Sequence, residues 1–288
     1  MQPSPSVILG AFWTLLASFC LVAFTTIGKY LTQEMSVPMI TFFRCVFGLF
    51  FIAPWIFRAG ISGLVTQRPI LLISRGINTL LGLYCVFAAV SLIPVADVVA
   101  IMYSKPIFAS IAALLILREA IYSQRWLAIF IGFGGMLLII QPVFREWNFG
   151  ILYALGAMGA GAFTTISVKL MTKTEPPDRI VAYTLIVMTI GSFIPALFLW
   201  ETPNSEQILW LILLGGLATA FQRCTARAYA SADATVVLPF EFARLVIAAI
   251  FGFYLFNQLI DLWTWVGGTV IFLTGVYIVR IETKRDLL

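Results

Sequence analysis

The sequence predicts an all-α membrane protein, with ten transmembrane helices arranged as two inverted-topology five-helix repeats. Three observations carry this prediction. Of 288 residues, 61% are hydrophobic and only 11% charged, and mean hydropathy is +1.01. A soluble domain carries roughly 25% charged residues, and a fold of this size in water cannot hide so much apolar surface. Apolar runs of bilayer length recur ten times. The pentapeptide AFTTI also occurs twice, at Ala23–Ile27 and Ala162–Ile166, each copy near the end of a run and followed by a lysine, Lys29 or Lys169.

Runs of about 18–22 apolar residues place helices at 7–27, 37–57, 70–91, 96–116 and 124–141, then at 149–168, 180–200, 207–228, 234–256 and 262–280. Short polar punctuation separates them: RAGISGLVTQRP after the second, LREAIYSQR after the fourth and FREWN after the fifth. KTEPPDR follows the sixth, ETPNSEQ the seventh and FNQLID the ninth. No connection is long enough for a soluble domain, so the chain divides into halves at 1–145 and 146–288. The opening MQPSPSVILG lacks a basic n-region, so the first helix is expected to be retained rather than cleaved.

Basic residues set the orientation. With the N-terminus inside, the inner connections hold thirteen: Arg58, Arg68, Arg75, Arg118, Arg125, Lys169, Lys173, Arg179, Arg223, Arg227, Arg280, Lys284 and Arg285. The outer connections hold only Lys29 and Arg145. Both termini are therefore expected in the cytoplasm, with the protein in the cytoplasmic (inner) membrane. The formal charge of +5 reflects this placement and does not point to a nucleic-acid partner. Five helices per half is an odd number, so the second half enters the bilayer from the opposite side. VADVVAIMYSKPIFASIAALLILRE (95–119) parallels SADATVVLPFEFARLVIAAIFGFYLFNQ (231–258), and Gly135 and Gly275 close the fifth helix of each half. Such inverted repeats let a secondary transporter expose one midplane site to each side in turn.

The composition excludes much chemistry. With no histidine there is no His-based triad, imidazole zinc site or haem attachment. Cys20, Cys45, Cys85 and Cys224 all lie in apolar runs, as buried thiols do. No metal site or cofactor is expected, and an intramembrane enzyme would lack evident catalytic groups.

Charge at membrane depth costs roughly 2.5–3.5 kcal/mol per residue on insertion scales. Arg44, Lys105, Glu241 and Arg244 therefore need a reason to be there. Glu241 and Arg244, three apart, share a helical face, as a packing salt bridge or as groups lining a pathway. The offset of 136 between the Ala96-Asp97 and Ala232-Asp233 pairs sets Lys105 opposite Glu241. Pro106 and Pro239 break helices 4 and 9 beside these charges, leaving the carbonyls of Met102 and Thr235 without donors. Such breaks serve either a packing kink or a polar cavity. Asp97 and Asp233 read as helix caps, and Arg75 and Arg227 as snorkelling anchors at the inner face. Tyr84, Tyr103, Phe43, Phe240 and Trp13 are candidates for stacking on a substrate. The small-residue runs LGAMGAG (155–161) and GFGG (132–135) suit close helix packing, and a homodimer through helices 5 and 10 would use the second. Three cations against one acid favour a ligand with a carboxylate or phosphate, and the acid leaves room for an amine. The expected substrate is an amino-acid-like, anionic or zwitterionic metabolite.

Two five-helix repeats, with YSKPIFASIAALLILRE ending the fourth helix and RWLAIFIGFGGMLLI forming the fifth, resemble the EamA family of the drug/metabolite transporter superfamily. That pattern implies an acid after helices 4 and 9; Glu119 matches it, whereas Gln258 stands at the second position. Within the family, QRPILLISRG, AIYSQRW and ADATVVLPFEFARLVIAAI resemble S-adenosylmethionine carriers of obligate intracellular bacteria. The resemblance implies uptake or exchange of that metabolite, with riboflavin uptake and metallophore or amino-acid export as further family activities.

Overall fold

The structure, a computed structural model, describes residues 7–93, 98, 101, 102, 104–117, 123–140, 148–256 and 262–285. The helices follow the apolar runs and their punctuation. The first half contributes α1 (Val7–Leu31), α2 (Val37–Leu64) and α3 (Pro69–Leu92). α4 (Lys105–Ala112) continues into a π-helical turn, Ala113–Leu117, and α5 (Ser123–Ile140) follows. The second half contributes α6 (Phe149–Met171), α7 (Pro177–Phe198) and α8 (Ser205–Ser231). A single helical turn, Ala234–Val237, and a 3-10 turn, Leu238–Phe242, lead into α9 (Ala243–Phe256), and α10 (Leu262–Arg285) closes the chain.

Local chemistry explains the ends. α3 and α7 start on prolines, whose fixed φ suits a first turn and whose missing N–H would be unpaired there anyway. Asn148 caps α6 by accepting from the Gly150 N–H at 2.9 Å. Asn204 and Gln207 form a reciprocal capping box on α8. α2 bends at Gly60, whose φ of 64° a side chain would oppose.

Pairing between the halves reveals the repeat. α1 packs on α8 and α3 on α6, α2 packs on α7, and α5 packs on α10. Adding five to each label regenerates the same set, as a pseudo-twofold axis requires. α4 against α6 and α9 against α1 obey the same rule. The AFTTI copies end in equivalent turns: Met35 N–H donates to Leu31 O at 2.9 Å, and Glu175 N–H to Met171 O at 2.7 Å. The protein is thus a ten-helix membrane fold of two inverted five-helix repeats. Among the described residues α1, α2, α3, α6, α7 and α8 are individually long and apolar enough to cross a bilayer. α5 and α10 carry shorter apolar stretches, and the fourth and ninth spans are interrupted. The ten spans are therefore less alike than their sequences imply.

GFGG serves an intramolecular contact. A Cβ on Gly267 would lie 2.4 Å from the Gly135 carbonyl oxygen, and one on Gly135 would meet the Gly267 carbonyl at 3.0 Å. Backbone cannot move aside as a side-chain tip can. Gly267→Ala is expected to destabilise the protein by about 1–3 kcal/mol, the usual cost of overpacking. Thermal unfolding in detergent measures this, with Gly134→Ala, which meets no atom within 4 Å, as the near-neutral control. Gly275 lies where side-chain surroundings are not described.

Candidate functional site

The break in the ninth span brings Glu241 and Arg244 to the interior. Pro239 sits at the start of the 3-10 turn, where it has no N–H to give an α-helical ladder. The tighter turn carries Glu241 into the interior at 5% exposure. Pro106 is the second residue of α4 and lies within a turn in which Ile107 N–H donates to Ser104 O at 3.0 Å. Both prolines thus coincide with helix breaks, at matching places in the two halves.

Those breaks bring opposite charges together. Lys105 Nζ lies 2.5 Å from Glu241 Oε2, and Arg244 Nη2 lies 3.0 Å from the same oxygen. Tyr229 donates its hydroxyl to Glu241 Oε1 at 2.8 Å. A buried carboxylate is tolerable only when paired and hydrogen-bonded, and these three partners supply that. Lys105 reaches the acid by passing α6 at Gly161, where a Cβ would stand 3.0 Å from its Cδ. LGAMGAG therefore makes room for a side chain as well as for a helix.

The trio borders a cavity of about 310 Å³ between the halves. Arg44 lines it from α2, Arg75, Asn78 and Thr79 from α3, and Thr164 and Thr165 from α6. Phe221 and Gln222 line it from α8, and Phe24 from α1. Four cations face one acid, so the space suits an organic anion or a molecule bearing an anionic group.

Arg75 requires a correction. It is not a snorkelling anchor: it is 4% exposed and lines the cavity, held by the Thr184 hydroxyl and by Ile180 O and Gln222 Oε1, both at 3.4 Å. Helical position alone placed it near the inner interface; the packing of α3 against α6 and α7 turns it inward. Arg227 is also engaged, its guanidinium 5.0 Å from the ring centroid of Trp13. Asp233 makes no side-chain cap and lies 3.8 Å from Lys169, whose ammonium donates to Tyr229 O at 3.1 Å and Ala232 O at 2.6 Å. Lys169 thus satisfies carbonyls at the end of α8, where a cation also suits the helix dipole.

The aromatic candidates separate from the charged ones. Trp13 packs on the core around Tyr229 and Ala232, and Phe43 on a cluster with Leu211 and Leu214. Tyr84 joins Cys45 and Val181 between α2, α3 and α7, and Phe240 packs on Val7 and Ala11 of α1. These four stabilise helix contacts rather than line the cavity. Tyr103, Asp97, Glu119 and Gln258 lie outside the described residues. The aromatic walls are instead Phe24 and Phe221, with ring centroids 5.9 Å apart. Phe24 belongs to the first AFTTI copy, the one sequence signal that could have singled it out.

A bundle whose halves meet around a charged central cavity is the architecture of a membrane transporter, and sequence comparison places it. The profile of the EamA-like transporter family matches residues 8–141 and 148–281, and the chain belongs to that family. A riboflavin transporter of Vibrio cholerae is 30% identical over 283 residues, spanning 96% of this chain and 95% of that protein. An S-adenosylmethionine uptake transporter of Rickettsia bellii is 29% identical over 277 residues, spanning 96% and 95%. The pseudopaline exporter CntI of Pseudomonas aeruginosa is 25% identical over 280 residues, spanning 96% and 97%. A crystal structure at 16% identity superposes with a TM-score of 0.79 over 98% of both chains and shows the shared fold. The chain is accordingly a multi-pass membrane protein of a small-metabolite transport family, and these kinships point to transport rather than catalysis.

Proposed function

We propose that the protein is a secondary transporter that moves a small organic metabolite across the cytoplasmic membrane by alternating access, with both termini cytoplasmic. The observation that carries this reading is the Lys105–Glu241–Arg244 cluster, built on two interrupted helices related by the pseudo-twofold axis and facing the cavity between the halves. Charge placed there serves substrate in a repeat transporter. The repeats, residues 1–145 and 146–288, are the units that rock about it. A carboxylate-bearing, amino-acid-like molecule fits best: its carboxylate meets the cations and its amine meets Glu241. S-adenosylmethionine carries both groups, and the Rickettsia relative makes it the first specific candidate.

Counterflow in proteoliposomes tests this. Preloaded vesicles are offered labelled amino acids, organic acids, S-adenosylmethionine and riboflavin, with wild-type protein and the Lys105→Ala and Glu241→Ala variants. Uptake of one compound by the wild type, reduced at least about tenfold in Lys105→Ala, is expected from loss of a charge-assisted contact. Folded variants that transport at the wild-type rate defeat the central-site reading.

A further inference from the structure

The cavity contains two kinds of positive charge. Lys105 and Arg244 share a carboxylate, Glu241. The guanidinium of Arg75 is held instead by a threonine hydroxyl, a backbone carbonyl and the side-chain oxygen of Gln222. Among the described residues all of these partners are uncharged, and the Arg75 Nε–H, itself buried, has no acceptor. A buried cation without a counter-charge is costly, and an unpaired donor adds to that cost. Glutamine and threonine can orient a guanidinium but cannot neutralise it.

Position adds a second observation. Arg75 lies six residues into α3, about 9 Å from its start at 1.5 Å per residue. Its partners agree: Thr184 is seven residues into α7, which starts on the same face, and Gln222 is nine residues before the end of α8. Arg44 lies seven residues into α2, which starts on the opposite face, about 10 Å in. Both arginines line the same cavity, which therefore receives a guanidinium from a helix entering at each face, besides the compensated cluster.

We propose that Arg75, oriented by Thr184 and Gln222, is a second anion-binding subsite, at the end of the cavity nearer the Leu64–Pro69 and Met171–Pro177 connections. It takes a carboxylate or phosphate monoester carried by the transported molecule. The substrate then carries a carboxylate or phosphate whatever its net charge, and Arg75 receives that group beside Lys105 and Arg244 in the same cavity. This deepens the transporter reading and rests on it for the word substrate; the binding of an anion at Arg75 stands or falls separately.

Thermal unfolding of the purified full-length protein is followed during titration with succinate and with glycerol 3-phosphate. Succinamide and glycerol are the uncharged counterparts, and wild type is compared with Arg75→Gln and Arg75→Lys. An anion, but not its counterpart, raises the wild-type midpoint. Arg75→Gln weakens the apparent affinity for that anion at least about tenfold, the loss of one charge-assisted contact. Arg75→Lys keeps the charge but not the fork and gives an intermediate loss. The two probes distinguish carboxylate from phosphate. Should Arg75→Gln not fold, an Arg75→Lys variant that binds like wild type overturns the proposal. So does a wild-type protein that neither anion stabilises, or an Arg75→Gln variant with unchanged affinity. Flux in proteoliposomes separates the two readings: Arg75-dependent binding without flux defeats transport and keeps the subsite. Flux of the same anion unaffected by Arg75→Gln keeps transport and defeats the subsite.

Discussion

Glu241→Ala is expected to destabilise the protein by about 3–5 kcal/mol, the cost of leaving buried charge without its partner, and to abolish transport. Two cations depend on this one carboxylate, at 2.5 and 3.0 Å, and the buried Tyr229 hydroxyl also donates to it. Lys105→Met should behave differently. Glu241 then keeps Arg244 and Tyr229, so every remaining charge of the cluster is paired, and the expected loss is only about 1.5–3 kcal/mol, that of one hydrogen bond to a charged group. Transport is nonetheless expected to fail in both. Denaturant unfolding in detergent, with flux measured on the same preparations, tests the ordering. Equal stability of the two variants would mean that Glu241 does not hold the cluster together.

Glu175→Ala is expected to open the face that carries the Leu64–Pro69 and Met171–Pro177 connections, raising entry of a polar thiol reagent about tenfold or more, the factor for 1.4 kcal/mol. Glu175 is 3% exposed and joins the halves there. It accepts from the Thr66 hydroxyl at 2.6 Å, the Gln67 N–H at 3.2 Å and Arg179 at 2.5 Å. Arg179 in turn donates to Gly63 O at 2.6 Å, and Tyr183 to Leu64 O at 2.8 Å. The equivalent turn on the opposite face carries Met35, and its links between halves, Gln207 to Glu34 at 3.0 Å and Tyr30 to Glu206 at 3.3 Å, are exposed. A cysteine at Thr79, which lines the cavity one turn beyond Arg75, reports access. Gln207→Ala should leave that labelling nearly unchanged, and equal labelling in wild type and Glu175→Ala would show that this contact is no seal. Burial raises the Glu175 pKa, but hydrogen bonds from Thr66, Arg179 and Gln67 outweigh it, so the carboxyl titrates below its ordinary 4.5. The seal is therefore complete above that pH and is lost only as pH falls through the lowered value. Taken relative to a freely exposed thiol, whose reactive thiolate fraction itself falls with pH, labelling should be flat from neutral pH down to about 5 and rise in stronger acid.

Much of the candidate site was legible because charge in a bilayer is rare. Arg44, Lys105, Glu241 and Arg244 stood out by type alone, and the offset of 136 set Lys105 against Glu241, where the fold forms an ion pair. Pro106 and Pro239 marked the breaks, since their chemistry acts on their own backbone. Arg75 was misplaced because depth along a helix says nothing about which way a side chain faces. Trp13, Phe43, Tyr84 and Phe240 pack between helices and do not line the cavity, which their residue type could not show: in a chain with 25 phenylalanines, an aromatic ring distinguishes no face. Glu175 was not singled out, because a carboxylate in a polar loop is ordinarily solvated. Only contact with Thr66 and Gln67 of the other half buries it.

The sequence by itself determined that the chain crosses a membrane, that it does so in two odd-numbered halves, and that charge is retained at depth. Those properties follow from transfer free energy and helix length, which are local. The tertiary structure alone decided the azimuth of each helix. Thr25, in the first AFTTI copy, bonds back to Leu21 O and Val22 O of its own helix, each at 2.9 Å. Thr164, in the second, accepts from Asn78 at 3.2 Å and lines the cavity. Identical pentapeptides diverge because helices in lipid are apolar on every side. No hydrophobic stripe then records which face turns inward, and the packing of small residues against neighbouring helices sets it instead.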